Sequence, residues 1–126
     1  MPVRRSAGGA LEVLLVTSRE TRRWVIPKGW PWPDIADHLA AAEEAREEAG
    51  VTGRAEPEPA GTFRYAKRRP EGTSNLHVTI FMLHVVEELD EWPEKSERQR
   101  AWFTPADAAN AVDEPELKAL ILALET

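Results

Sequence analysis

Residues 28 to 37, Lys-Gly-Trp-Pro-Trp-Pro-Asp-Ile-Ala-Asp, cannot be regular structure. Pro31 and Pro33 fix φ and withhold backbone donors, and with Gly29 beside them the segment is a stiffened loop. Ahead of it, Trp24-Val25-Ile26 is a short branched run suited to a strand and stopped by Pro27. Behind it, Asp37 is suited to cap a helix over Leu39 to Ala49, with Leu39, Ala42, Ala45 and Ala49 as its apolar stripe. The order is therefore strand, rigid loop, helix. The small side chains of the stripe let that helix lie close against a sheet.

The same helix is unusually acidic. Glu43, Glu44, Glu47 and Glu48 fall within two turns, and only Arg46 stands among them. Glu44 and Glu48 are four apart and Glu47 is three from Glu44, so the three project from neighbouring positions of one face and repel. Glu47 and Glu48 also precede Gly50, a natural helix end, where the partial negative charge of the backbone disfavours acids. Each effect costs a few tenths of a kcal/mol to about 1. Glutamate is also a good helix former, and Glu-rich faces are common on solvated helices. A cation held between the carboxylates would turn the repulsion to use, and Glu43 reads as solvent-facing or paired with Arg46.

Further strands are expected at Ala10 to Val16, Ala60 to Ala66, Leu76 to Val86 and Ala101 to Phe103, with a turn over Lys67 to Asn75. Thr104 caps a helix over Pro105 to Val112, and Pro115 to Leu124 is amphipathic through Leu117, Leu120, Ile121 and Leu124. Mixed strands and helices over 126 residues indicate one α/β or α+β domain, residues 1–126, long enough to bury a core. A composition of 42% hydrophobic and 30% charged residues is that of an ordinary globular chain, and no apolar run approaches the ~20 residues of a membrane span. Zero cysteines exclude disulfides and thiolate metal sites and suit a cytoplasmic location; the first residues lack the apolar stretch of a secretory signal. The net charge of -6 argues against general nucleic-acid binding.

Cations are nonetheless clustered, at Arg4-Arg5, at Arg19 with Arg22-Arg23, at Arg64 with Lys67-Arg68-Arg69, and at Lys95, Arg98 and Arg100. Islands of this kind either solubilise loops or gather around one anionic small molecule.

From Gly29 to Val51 the chain resembles the Nudix box, Gly-x5-Glu-x7-Arg-Glu-U-x-Glu-Glu-x-Gly-U with U apolar. Gly29, Glu44, Ala45, Glu47, Glu48, Gly50 and Val51 match with spacing kept, whereas Ile35 replaces the first Glu and Glu43 the Arg. In the family that Arg helps hold the acidic helix in place. Val13 to Val16, Arg23 to Pro27, Glu87 to Trp92 and Arg98 to Phe103 extend the similarity toward the diphosphoinositol polyphosphate and diadenosine polyphosphate phosphohydrolases. The resemblance implies an α/β/α sandwich with a mixed central sheet and hydrolysis of a phosphoanhydride with Mg²⁺ or Mn²⁺. It implies Glu44 and Glu48 as metal ligands, and Glu47 as a further one that orients or deprotonates water. Lys28 and Gly29 would place the first phosphate or the metal. Arg5, Arg19, Lys67, Arg69 and Arg98 or Arg100 would bind further phosphates.

These assignments agree with the chemistry, since an anionic phosphoanhydride needs a positioned water and hard cations held by oxygen ligands. Dinucleoside polyphosphates or diphosphoinositols are the favoured substrates. Nucleotide-sugar or oxidised-nucleotide pyrophosphatase activity, and a nucleotide-binding module without turnover, are the alternatives. Glu94 or Glu97 is a candidate further acid. His38 is expected to cap the helix or face solvent, and His77 and His84 to be structural. Trp30 and Trp32 either pack their loop or stack on a base or sugar. The chain is expected to be a monomer or a homodimer.

Overall fold

The computed structural model describes residues 1–29 and 31–124, with the backbone alone for 67–69. In chain order its elements are β1 (Pro2–Arg5), β2 (Leu11–Thr17), β3 (Trp24–Val25), α1 (Asp37–Ala49), β4 (Val51–Ala55), β5 (Gly61–Arg69), β6 (Gly72–Ile80), β7 (Leu83–Glu88), β8 (Arg100–Phe103), α2 (Pro105–Ala111) and α3 (Pro115–Ala123).

The central strand is β2. Val13 lies opposite both Val3 of β1 and Phe103 of β8, and Val16 opposite both Val25 of β3 and Arg100 of β8. A strand has two edges, so β8 takes one and β1 and β3 share the other, one after the other. Met1 and Ile26 flank the split between β1 and β3, and both line the cleft described below. From β1 the sheet continues through a parallel pairing with β7 and then an antiparallel one with β4, which makes it mixed.

Alternation along β2 sorts its side chains to two faces. Val13 and Leu15 join Phe63, Ile80, Ala108, Leu117 and Ile121, which brings α2, α3 and the β5–β6 hairpin to one side. Leu14 and Val16 join Ala45, Ala49 and Val51, which brings α1 to the other. The expected sandwich with a mixed central sheet is the observed one.

Several local expectations differ. The cap of α1 is Ala36, without a side-chain bond, and Asp37 is already helical. Leu39 is half exposed, and Ala40 takes its place on the buried stripe with Ala45 and Ala49. The turn expected over 67–75 is mostly strand, because the β5–β6 ladder runs on through Ala66↔Asn75 to Arg69↔Gly72 and closes at Pro70 and Glu71. Gly72, at φ 129°, supplies the backbone that this closure requires. The single strand expected over Leu76 to Val86 is two, since the chain leaves the hairpin after Ile80 and enters the central sheet at Leu83. Buried Ile80, Phe81 and Leu83 keep the apolar pattern running across the break and hide it.

A candidate active site at the split edge of the sheet

A cleft of about 990 Å³ opens beside α1, between the stiff loop after β3, the turn after β2 and the β5–β6 hairpin. Glu44 and Glu48, one helical turn apart, are on its wall. Glu48 is 5% exposed, and the Lys28 backbone N–H donates to its Oε1 at 3.4 Å. Burial pushes the Glu48 carboxyl up to about 8, against the opposing pull of the Arg98 and Lys28 charges and the Lys28 N–H; the Glu44 charge adds to the rise. Glu44 is wedged against Gly29. A Cβ at Gly29 would collide with its carboxyl group, so glycine lets the loop pass this close without displacing the Glu44 side chain. From the loop, the Trp32 indole N–H donates to Glu44 Oε1 at 3.2 Å.

Cations face these carboxylates. Lys28 Nζ lies 4.1 Å from the centre of the Tyr65 ring, and burial, helped by the Arg23 and Arg98 charges, brings its pKa down to about 8 although Glu48 opposes. Arg23 is held by Glu114, with Nη2 donating at 2.7 Å, and also reaches over Tyr65. Arg98 donates to Glu94 at 2.7 Å and to the Thr17 carbonyl at 3.2 Å, and its guanidinium lies 3.8 Å from Glu48 Oε1. Arg19 lines the cleft mouth, 3.5 Å from Glu97.

The acidic helix is fastened at its C-terminal end. Gly50 takes φ 65°, and a Cβ there would come within 2.5 Å of the Trp92 ring. Arg100 donates to the carbonyls of Ala49, Gly50 and Leu89, and its guanidinium stacks 4.0 Å over Trp92. Trp92 Nε1 in turn donates to the Glu48 carbonyl at 3.1 Å. Carbonyls left open by the helix end are thereby satisfied, and a cation meets the negative end of its dipole.

The cleft thus brings together Lys28, Gly29, Glu44, Glu48, Arg19 and Arg98 of the residues singled out in the sequence. Glu47 is not on this wall; it is one-third exposed beside Arg46 at 3.9 Å. Glu43, where the family carries arginine, is paired with Arg46 at 2.6 Å. Two expected phosphate ligands are elsewhere. Arg5 lies at the far end of β1 and donates to the Gly9 carbonyl at 3.3 Å, and Arg100 is engaged by the three backbone carbonyls just described. The side chains of Lys67 and Arg69, and all of Trp30, lie outside the described residues. Of the two loop acids, Glu94 lines the cleft, while Glu97 pairs with Arg19 outside it. His84 hydrogen-bonds Glu56 at 2.7 Å, whereas His77 is exposed on the cleft wall. Tyr65 and Glu114 were not singled out for the site in sequence, and Arg23 only as one of a cation island, since no spacing links residues just before β3, in β5 and just before α3.

Among the described residues no group of three or more His, Asp or Glu side chains is placed to hold a metal ion. Magnesium does not require one, because it takes one or two carboxylates, several waters and substrate phosphate oxygens. Glu44 and Glu48, as hard oxygen donors on one open wall, fit that chemistry.

The NUDIX domain family model matches residues 1–124. The chain belongs to the Nudix family. Nudix hydrolase 12, mitochondrial, of Arabidopsis thaliana is 39% identical over 103 residues, which are 78% of this chain and 50% of that protein. Diphosphoinositol polyphosphate phosphohydrolase 3-alpha of Mus musculus is 37% identical over 100 residues, 77% of this chain and 57% of the relative. The chain spans about half the length of the curated relatives it matches. Among solved structures, the C. elegans Ap4A hydrolase binary complex superposes with a TM-score of 0.67 at 21% identity, covering 98% of this chain and 90% of that one. The NUDIX domain of Shewanella oneidensis NrtR complexed with ADP ribose gives 0.68 at 17%, covering 99% and 84%. At these identities the structures show the Nudix fold alone.

Proposed function

We propose that residues 1–126 act as one Nudix hydrolase unit. It cleaves a phosphoanhydride in a highly phosphorylated small molecule, with dinucleoside polyphosphates or diphosphoinositol polyphosphates favoured. The observation that carries this reading is the meeting, in one cleft, of two carboxylates on a helical ridge with Lys28, Arg23 and Arg98. Polyphosphate charge is matched by the cations. Glu44 and Glu48 would hold Mg²⁺ or Mn²⁺, which would supply the charge neutralisation and water activation that the bond cleavage needs. Lys28 and Arg98 bind the phosphate nearest Glu48, and Arg23 and Arg19 hold phosphates further along the cleft. Tyr65 and Glu114 keep Lys28 and Arg23 aimed. A cytoplasmic location accords with the absence of cysteine.

A panel of nucleotides, dinucleoside polyphosphates, nucleotide sugars and diphosphoinositols, assayed with and without Mg²⁺, tests the proposal. Phosphate-containing products are expected only with metal. Glu44→Gln and Glu48→Gln should each lower kcat/KM by about a hundredfold or more, the scale of the several kcal/mol that such a metal supplies. Glu47→Gln should cost less. Turnover of no compound, or parental rates in both ridge variants, removes the catalytic reading and leaves a nucleotide-binding module; preference for nucleotide sugars moves the substrate class.

A further inference from the structure

Trp32 differs in its surroundings from the other described tryptophans. Trp24 packs edge-on to Phe103 at 5.0 Å, Trp92 closes the end of α1, and Trp102 lies 4.1 Å beneath the Arg4 guanidinium. Trp32 is 38% exposed at the cleft wall, with its indole N–H on Glu44 Oε1. Pro31 and Pro33 restrict the backbone on either side, so the ring is held in place at little further loss of freedom.

We infer that Trp32 is a stacking platform for the base of a nucleoside phosphate whose phosphates lie over Glu44, Glu48 and Lys28. The inference rests on the proposed phosphoanhydride site and narrows its ligand to nucleotides. A large flat aromatic ring in the same cleft as Lys28, Arg23 and Arg98 suits a molecule with an aromatic end and an anionic end. Every nucleobase offers a π-face to such a ring, which makes stacking tolerant of base identity. A diphosphoinositol offers only hydroxyls and phosphates, and anionic groups gain nothing from the electron-rich face of an indole. The hydrogen bond sets the ring directly against the Glu44 carboxylate, so base and phosphate are read by adjoining groups.

Calorimetric titration with α,β-methylene-ADP and with methylenediphosphonate, two probes without a scissile bridging oxygen, measures the base separately from the phosphates and needs no turnover. In Mg²⁺ the parent should bind the nucleotide at least about fivefold more tightly than the diphosphonate, the lower range of what base–aromatic stacking carries. Trp32→Ala should lose that factor, and Trp32→Phe, which keeps a ring and drops the N–H, should retain most of it. Both variants lose the indole bond to Glu44, so whatever that costs falls on both probes alike and the ratio of the two affinities reads the base alone. Equal affinity of the parent for both probes overturns the inference. So does an equal weakening of both probes in Trp32→Ala, or a Trp32→Phe protein as impaired as the alanine variant, since either assigns the residue to holding Glu44. Absence of hydrolysis across the substrate panel with this binding pattern intact would instead sink the hydrolase reading and leave the platform standing.

Discussion

Burial holds the Glu48 carboxyl near 8 rather than the ordinary 4.5, so between those values the folded protein keeps a proton that the unfolded chain has released. Stability from this group is fully present below pH 4.5 and is lost as pH rises toward 8. Lys28, lowered from 10.5 to about 8, acts in a separate window above that. Thermal melts in EDTA should therefore show a loss of stability over the Glu48 window that is absent in Glu48→Gln; parallel profiles would show that Glu48 is not the group responsible. Gly29→Ala belongs to the same scale. The added methyl meets the mobile end of Glu44 rather than backbone, so the fold should persist while Mg²⁺ affinity drops roughly tenfold or more, as when a metal ligand's support is disturbed. Unchanged affinity by titration would mean that Glu44 can move without consequence. The matching box positions placed Glu44 and Glu48 on the sequence itself, because an i, i+4 pair shares a helix face whatever surrounds it. The position of Glu47 was not legible, since the rotation of a ridge against a cleft is set by what packs behind it.

At the scale of elements, α1 depends on groups far along the chain. Arg100→Ala would take a donor from the carbonyls of Ala49 and Leu89, leave the Gly50 carbonyl with the Leu89 N–H alone, and leave Trp92 without its stacked guanidinium. A loss of about 1–3 kcal/mol in chemical denaturation is expected. Arg100→Lys should recover little of it, because an ammonium lacks the planar fork that reaches these acceptors together. A neutral result in both variants would place the fastening in Trp92 alone. Helices α2 and α3 were readable from their prolines and apolar spacing, with Thr104 accepting from the Asp107 N–H at 3.1 Å as a cap should. Strands β1 and β4 were not. β1 is four residues ending in two arginines, and only its neighbours β2 and β7 make it a central strand. β4 carries Gly53 and a register shift after Thr52, which leaves no alternation to read.

For the whole molecule, charge of both signs meets in the cleft, where Glu20, Asp37, Glu44, Glu48 and Glu94 stand among the cations. A net charge of -6 would repel polyphosphates, yet Arg19, Arg23, Lys28 and Arg98 line one cleft. The KM for the most highly charged substrate should therefore rise with ionic strength, and Lys67→Ala should raise it further, more than for less charged compounds. A KM independent of salt would argue that the cleft attracts substrate by contact alone. The sandwich was foreseeable from mixed element types and the box, while the split edge of β2 was not, because pairing partners depend on register between distant strands.

The fastening of α1 also sets an order of events in time. Arg100 bonds a carbonyl 51 residues earlier, and Arg98 is the charge nearest the buried Glu48. During synthesis at roughly 5–20 residues per second, the acidic helix emerges seconds before the residues that restrain it. Until β8 has left the ribosome the helix lacks its C-terminal clamp, and Glu48 has the Lys28 charge to draw on but not that of Arg98. A nascent chain thus cannot hold Glu44 and Glu48 in their finished arrangement, and the cleft comes into being only when most of the protein has been made.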